Sequence, residues 1–333
     1  MAGVDLPVDL LVDGGGSTTR AALVRGDDVV ARRDGASCNA RTAGPRGWPG
    51  LLADLLHGVW REAGEPPLRA AYLAVSNAAT PAELARTVRA VRRLRAGWPP
   101  LAAARCWVMN DLVPWTLRPD HPLVAVCGTG TGFAALTPDG AWVRASGLEY
   151  LLADEGGGFD IGLHGLRAVV RAHDGRGRPT LLTELVTAAL ADPCAGRPDG
   201  DRVHDRIHDR VHRQRRPKAL VASLAPKVLA AARCGDAVAG GILDRAADEL
   251  LAGVRALARR AGRREAYPLR YGGSLLAGEE PALRARFLGR LAADRRAYRP
   301  EPLPRDPLAG VRAARAAIPT LDPAVIPLLA RAG

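Results

Sequence analysis

Over its first third the chain alternates short, almost wholly apolar runs with glycine-rich or polar breaks. VDLLVD, RAALV and VVARR, between residues 8 and 33, read as three short strands. Gly26 to Asp28 supply a hairpin-type turn between the second and third. Apolar residues then recur at helical spacing from Trp48 to Ala63, and RAAYLAVS (Arg69 to Ser76) reads as another strand. Thr80-Pro81 opens a helix running to about Arg95, with Thr80 as N-cap, Pro81 in the first turn and Glu83 in the capping-box position. RCWVMND (Arg105 to Asp111) is a further buried strand ending on an acid. The opening order is therefore β-β-β-α-β-α-β.

The pattern restarts at PLVAVCGTG (Pro122 to Gly130), a strand running into a glycine turn, with FAAL and AWVRAS as further strands of a second sheet. Beyond Gly156 the spacing is helical through IGLHGLRAVVRAHD, TLLTELVTAALA, ALVASLAPKVLAAA and AVAGGILDRAADELLAGVRALARRA. PLRYGGSLLAG is a short strand and turn, and Asp306 to Ala317 predicts a last helix. Two halves that each open with a strand and a glycine turn imply a duplicated α/β architecture around a cleft.

Composition adds few constraints. A chain of 333 residues, 47% apolar and 25% charged, suits two soluble globular domains. Asp5 and Asp9 precede the first glycine turn without a basic n-region, and no apolar run approaches the roughly 18 residues of a membrane helix. The expectation is a cytoplasmic protein with no membrane partner. The five cysteines (Cys38, Cys106, Cys127, Cys194, Cys234) show no paired spacing, so they predict reduced, mostly buried thiols instead of disulfides or a zinc site. Net charge is +12, yet Lys218 and Lys227 are the only lysines, and the arginines are spread along helices without interleaved aromatics. That pattern predicts no nucleic-acid partner and a surface that favours encounter with anionic small molecules such as nucleotides.

DRVHDRIHDRVH (Asp201 to His212) is a near-perfect four-residue repeat. On a helix it lines up Val203, Ile207 and Val211 in one stripe and His204, His208 and His212 in the next. Three histidines at that spacing suit a metal; with no carboxylate-rich pocket beside them, an amphipathic helix with Asp–Arg surface pairs is the preferred reading.

The chemistry concentrates in LLVDGGGSTTRAALV (Leu10 to Val24). Glycines after a strand let backbone N–H groups approach an anion, and Ser17, Thr18 and Thr19 add hydroxyls. The lysine of a Walker loop is missing, and a strand instead of a Rossmann helix follows. An acid at the strand end beside such a hairpin suits a magnesium-bound nucleotide, with Asp13 on the metal. CGTGTG (Cys127 to Gly132) repeats the logic, and YGGSLLAG (Tyr271 to Gly278) is a third glycine turn at a strand end.

Taken in order, these segments resemble the N-acetylglucosamine kinase type of the BadF/BadG/BcrA/BcrD ATPase family, within the actin-like sugar-kinase and heat-shock ATPase superfamily. DGGGSTTR resembles the first phosphate motif, VMND the catalytic segment, CGTGTG the second phosphate motif, LLADEGGGFDIG the L-L-G-D-E-G-S-x-x-x-I-G block and YGGS the adenosine motif. PLAGVRAARAA resembles the closing helix that returns to the first domain.

The resemblance implies a fold of two actin-like (ribonuclease H-like) α/β ATPase domains around a nucleotide and sugar cleft. It places the first domain at residues 1–117 plus the helix 306–330, and the second at 118–305. It implies ATP and magnesium, a sugar or aminosugar acceptor, and a homodimer. Asp111 would be the general base that takes the acceptor's proton, with Asn110 beside it on the substrate side, while the same Asp111 is also placed to N-cap the helix entered at Pro114. Asp13 would hold magnesium. ATP would lie against Gly14, Gly15, Gly16, Ser17, Thr18, Thr19, Gly128, Thr129, Gly130, Ala222, Gly272, Gly273 and Ser274. Asn39, Thr131, Gly132, Gly147, Leu148, Glu149 and Asp154 would face the sugar.

Departures from the family pattern fall on the sugar side. Gly147-Leu148-Glu149 stands where G-W-G is usual, Ala153-Asp154-Glu155-Gly156-Gly157 stands for G-D-E-G-S, and Leu112-Val113-Pro114-Trp115 follows the catalytic Asp in place of small residues. Glu149 then invites pairing with an acceptor amine, as in an unacetylated aminosugar or amino-cyclitol. Two other functions compete. A dehydratase-activating ATPase needs a thiolate-held iron–sulfur cluster, and the cysteines do not fall in the matching glycine-flanked segment. A non-catalytic sugar sensor is opposed by Asp13, Asp111 and Asp154.

Overall fold

The computed structural model describes residues 6–191, 203–213, 217–262, 266–321, 326 and 328–333. By internal contacts the chain forms two compact units, one of Met1–Val124, Ala134–Val143 and Pro304–Gly333, the other of Ala125–Phe133 and Arg144–Leu303.

The first unit carries the strands β1 (Val8–Gly14), β2 (Thr18–Arg25), β3 (Asp28–Ala36), β4 (Leu68–Val75) and β5 (Arg105–Met109). With a short C-terminal strand, Leu329–Arg331, they form a six-stranded sheet in the order C-terminal strand, β5, β4, β1, β2, β3. β1, β2 and β3 are antiparallel neighbours joined by tight turns, and β1, β4 and β5 run parallel. The parallel crossovers pass through the helices Trp48–Glu62 and Pro81–Ala96.

The unbroken apolar run of β1 has a simple cause, since both of its faces are covered. Val8, Leu10 and Val12 pack with Leu52, Leu56, Val59, Val88 and Val91 from those two helices. Leu11 points the other way, to a core with Ala22, Tyr72, Leu308, Val311 and Ala314. Asp9, also buried, is tolerated there because Arg69 donates to its carboxylate at 2.8 and 2.5 Å.

The local signals act as expected at Gly26, which turns with φ 60°, and at Thr80, whose hydroxyl accepts from the Glu83 N–H at 3.2 Å. After β5 the Asn110 Oδ1 accepts from the Leu112 N–H at 3.0 Å, ahead of the single-turn helix Val113–Thr116. The closing helix is shorter than predicted, Leu308–Ala314, with the Asp306 carboxylate accepting from the Leu308 N–H at 3.2 Å.

The second sheet contains β6 (Leu123–Cys127), β7 (Thr131–Leu136), β8 (Trp142–Ser146), β9 (Tyr267–Gly272) and β10 (Tyr298–Pro302), in the order β10-β9-β6-β7-β8. The second unit's longest helix, Ala237–Arg260, starts where Asp236 Oδ1 accepts from the Ala239 N–H at 2.8 Å. It packs closely at Gly253, where a Cβ would stand 2.3 Å from the Phe133 ring. The segment ALVASLAPKVLAAA divides into Lys218–Ala222 and Ala225–Arg233, broken just before Pro226, which cannot continue the helical hydrogen bonds.

Cys38, Cys106 and Cys127 are buried free thiols, Cys234 is exposed, and Cys194 lies outside the described residues. Among the described residues no helix is long and apolar enough to cross a membrane, and no cluster of three His, Cys, Asp or Glu is arranged to hold a metal ion. The histidine repeat forms the helix Val203–His212 with Ile207 buried, while Asp201, Arg202 and the His204 side chain lie outside the described residues.

Candidate functional site

In the first unit the candidate residues gather along one edge of the sheet. β1, β4 and β5 are parallel, so their carboxyl ends lie together, the usual position of ligands on open α/β sheets. Asp13 is in register with Ala74 on β4, and Ala74 with Met109 on β5. Asp111 follows two residues beyond the end of β5. Across the hairpin Asp13 faces Arg20 directly. Burial pushes the Asp13 carboxyl up to about 6; Arg20 opposes the rise and the nearby Asp306 carboxylate adds to it.

The turn between β1 and β2 is fixed at several points. The Gly15 N–H donates to the Thr18 carbonyl at 3.0 Å, and the Gly15 carbonyl accepts from the Ser37 hydroxyl at 3.0 Å. The Gly16 carbonyl accepts from the Thr42 hydroxyl at 3.0 Å. Gly14 lies so close to β4 that a Cβ would meet Val75 Cγ1 at 2.9 Å. Ser17 is exposed at the tip and Thr18 partly so, whereas Thr19 is fully buried, its hydroxyl oxygen accepting from the Cys38 N–H at 2.8 Å. Asn39 is buried beside it and donates from Nδ2 to the Ser76 hydroxyl at 2.9 Å. Asn77 completes this mesh, accepting from the Ala40 N–H at 2.7 Å and donating to the Cys38 carbonyl at 2.5 Å. Ser76 and Asn77 were not singled out from sequence, though their place just after a buried strand was a usable signal.

In the second unit four segments converge. The Gly128 and Thr129 carbonyls accept from the Gly158 and Phe159 N–H groups at 2.8 and 2.9 Å, so the turn after β6 caps the helix Gly158–His173. The turn after β9 packs on the same strand end. Gly273, at φ +88°, would place a Cβ 2.3 Å from the Cys127 carbonyl oxygen, and the Leu275 N–H donates to that oxygen at 3.0 Å. Ser274 Oγ lies 3.5 Å from where a Cβ on Gly128 would be, and the Ala222 carbonyl 3.6 Å from where one on Gly158 would be. Gly128, Thr129, Gly130, Ala222, Gly272, Gly273 and Ser274 therefore belong to one neighbourhood.

Asp154 is buried beside that neighbourhood. Its Oδ1 accepts from the Thr131 N–H at 3.3 Å, and a Cβ on Gly130 would stand 2.2 Å from its Oδ2. The Ser146 hydroxyl contacts the Thr131 hydroxyl at 3.3 Å and accepts from the Asp154 N–H at 3.2 Å. Gly147, Leu148 and Glu149 follow directly, with φ positive at Ser146 (55°), Gly147 (70°), Glu149 (73°) and Asp154 (68°). For non-glycine residues this left-handed backbone is costly and persists only where surrounding contacts hold it.

Glu149 does not stand open for an acceptor amine. Its carboxylate receives a short hydrogen bond from the Lys218 ammonium, which also lies 3.6 Å from Asp154 Oδ2. Burial raises the Asp154 carboxyl above its usual range; Lys218 opposes the rise and Glu149 adds to it. The Tyr150 ring, 5.6 Å from the Lys218 nitrogen, packs against Phe159 with ring centroids 4.5 Å apart. Neither Lys218 nor Tyr150 was singled out from sequence as a site residue.

Together the sheets and turns define an actin-like α/β protein with the architecture of the sugar kinases. The chain belongs to the BadF/BadG/BcrA/BcrD ATPase family, whose sequence profile matches residues 11–285. An N-acetylmuramic acid/N-acetylglucosamine kinase of Clostridium acetobutylicum is 29% identical over 135 residues, which span 40% of this chain and 41% of that relative. A provisionally named N-acetylglucosamine kinase of Chromobacterium violaceum shares the fold with a TM-score of 0.68 at 23% identity, over 92% of this chain and 98% of that one. A second, from Porphyromonas gingivalis, superposes with a TM-score of 0.66 at 16% identity, over 92% and 97%.

Proposed function

We propose that the protein transfers the γ-phosphoryl group of ATP to a hydroxyl of a sugar, N-acetylglucosamine or a close relative of it. The observation that carries this reading is the placement of Asp13 and Asp111 at the carboxyl ends of β1 and β5 in a chain of this ATPase family. The similarity to the Clostridium acetobutylicum kinase, partial as it is, favours a sugar acceptor.

Phosphoryl transfer asks a protein mainly for positioning and charge neutralisation. Asp111 accepts the proton of the attacking hydroxyl, and a positioned base of this kind is worth roughly 10²–10⁴-fold. The turns at Gly14–Gly16 and Gly128–Gly130 bring backbone close to the phosphates without Cβ obstruction, with Ser17, Thr18 and Thr129 adding hydroxyls. Gly272, Gly273, Ser274 and Ala222 flank the adenosine. Asp154, Thr131, Gly132 and Asn39 hold acceptor hydroxyls.

Asp13 suits magnesium, because it and Asp306 are two carboxylates close enough to repel, one of them desolvated. Such ions are held by one or two carboxylates plus substrate phosphates. Bound magnesium would neutralise phosphate charge during transfer. The test is ADP release from magnesium-ATP across N-acetylglucosamine, N-acetylmannosamine, glucosamine, glucose and amino-cyclitols. Turnover on one of these supports the reading, and ATP-dependent release on none of them argues against it.

A further inference from the structure

Positive charge in this chain is carried by arginine almost everywhere, with lysine only at positions 218 and 227 of 47 Lys and Arg residues. One of those two sits in the acceptor neighbourhood. The Lys218 ammonium donates to Glu149, lies 3.6 Å from Asp154 Oδ2, and is largely enclosed, its side chain 16% exposed against 17% for Glu149 and 7% for Asp154. A compact ammonium bridges two carboxylates that converge on a point, which a planar guanidinium fork does less well.

We infer that Lys218 is a specificity-determining and positioning residue, whose ammonium occupies the place an acceptor amine would take between Glu149 and Asp154, so that the site selects uncharged acceptors. This rests on the kinase reading above. Like charges at contact distance in a partly desolvated site repel strongly, so a second ammonium entering this pair meets Lys218 first. Lys218 also opposes the rise in the Asp154 carboxyl that burial and Glu149 cause. Among the described residues the titratable groups facing Asp154 are Lys218, Glu149 and Cys127, with the Tyr150 ring beside Lys218. Of these charged groups Lys218 lowers the proton affinity of a buried carboxylate that must accept hydrogen bonds from acceptor hydroxyls, and the hydrogen bond from the Thr131 N–H acts in the same direction.

Removing the ammonium should therefore have two linked effects. Glu149 and Asp154 are left facing one another, the Asp154 carboxyl is pushed further up, and the vacated space becomes complementary to a cation. In Lys218→Met, the ratio of kcat/KM for glucosamine to that for N-acetylglucosamine should rise by about tenfold or more, and KM for N-acetylglucosamine should climb as pH falls from about 8 to about 6 while kcat changes little. A purely structural role would lower activity on both acceptors alike.

The experiment measures both acceptors across that pH range with the full chain, in wild type and Lys218→Met, with thermal melting to confirm folding. An unchanged selectivity ratio and pH profile would overturn the inference. If wild type turns over neither sugar, the kinase reading fails on its own, and calorimetric titration with glucosamine still decides this point. Tighter binding to the variant supports it, and equal binding overturns it. Should Lys218→Met not fold, Glu149→Gln serves instead. It leaves Lys218 to Asp154 alone, so the acid-side rise in KM should move to lower pH than in wild type, and no movement would count against the inference.

Discussion

Asp13 shows what one position in a hairpin imposes. It ends a strand buried on both faces, and desolvation lifts its carboxyl from 3.8 to about 6 despite Arg20 across the ladder. Between those values the folded chain binds a proton that the unfolded chain does not. Asp13 therefore contributes stability below about pH 3.8 and loses that contribution as pH rises through about 6, above which a buried charge is a cost. Without magnesium, Asp13→Asn should melt a few degrees above wild type near pH 7.5 and show no such gain near pH 4. A constant difference across pH would mean the carboxylate is not desolvated as described.

Gly130 makes a second point at this scale. A Cβ there would press within 2.2 Å of Asp154 Oδ2, so Gly130→Ala must displace that carboxylate. The expected result is a higher acceptor KM, beyond any loss of ATP affinity from a Cβ in the phosphate turn, with both constants measured in mutant kinetics. Sequence alone marked both residues, because an acid at a strand end and a glycine after one are local signals. It did not mark Lys218, whose role depends on partners 64 and 69 residues away.

Among the elements, the strands and helices of the first unit were the most legible. β1, β2, β4 and β5 carry buried apolar runs, and the helix at Pro81 carries its own cap. The boundaries that sequence misjudged have physical causes. The strand Tyr298–Pro302 is polar, contains prolines and sits at the edge of its sheet, where neither burial nor a full hydrogen-bond ladder is required. The strand Leu329–Arg331 is three residues long and exists because β5 offers it a partner. After β5 the Asn110 side chain, which carried no capping expectation, accepts from the Leu112 N–H.

The close approach of the two turns in the second unit gives a testable consequence of element packing. Gly273 combines φ +88° with a carbonyl oxygen 2.3 Å from any Cβ. Gly273→Ala should thus cost about 1–3 kcal/mol, seen as a lower denaturant midpoint. A neutral substitution would mean the turns do not touch as described.

For the molecule as a whole, charge and motif order carried most of the information. A net charge of +12 without a nucleic-acid module was compatible with an ATPase, and the family profile spans residues 11–285, which contain all three glycine turns. The proposed acceptor side was less legible, because the loop from Ser146 to Asp154 takes a left-handed backbone at non-glycine positions as well as at Gly147. Residues that read as a receptor for an acceptor amine turn out to hold an ammonium of the chain itself.

The most direct test of the central claim is the turnover and ATP affinity of Asp111→Asn measured side by side on the best acceptor. The account predicts a kcat lower by roughly 10²–10⁴-fold, with the ATP dissociation constant within about threefold of wild type. A kcat near that of wild type would remove Asp111 from the chemistry and, with it, the proposed mechanism.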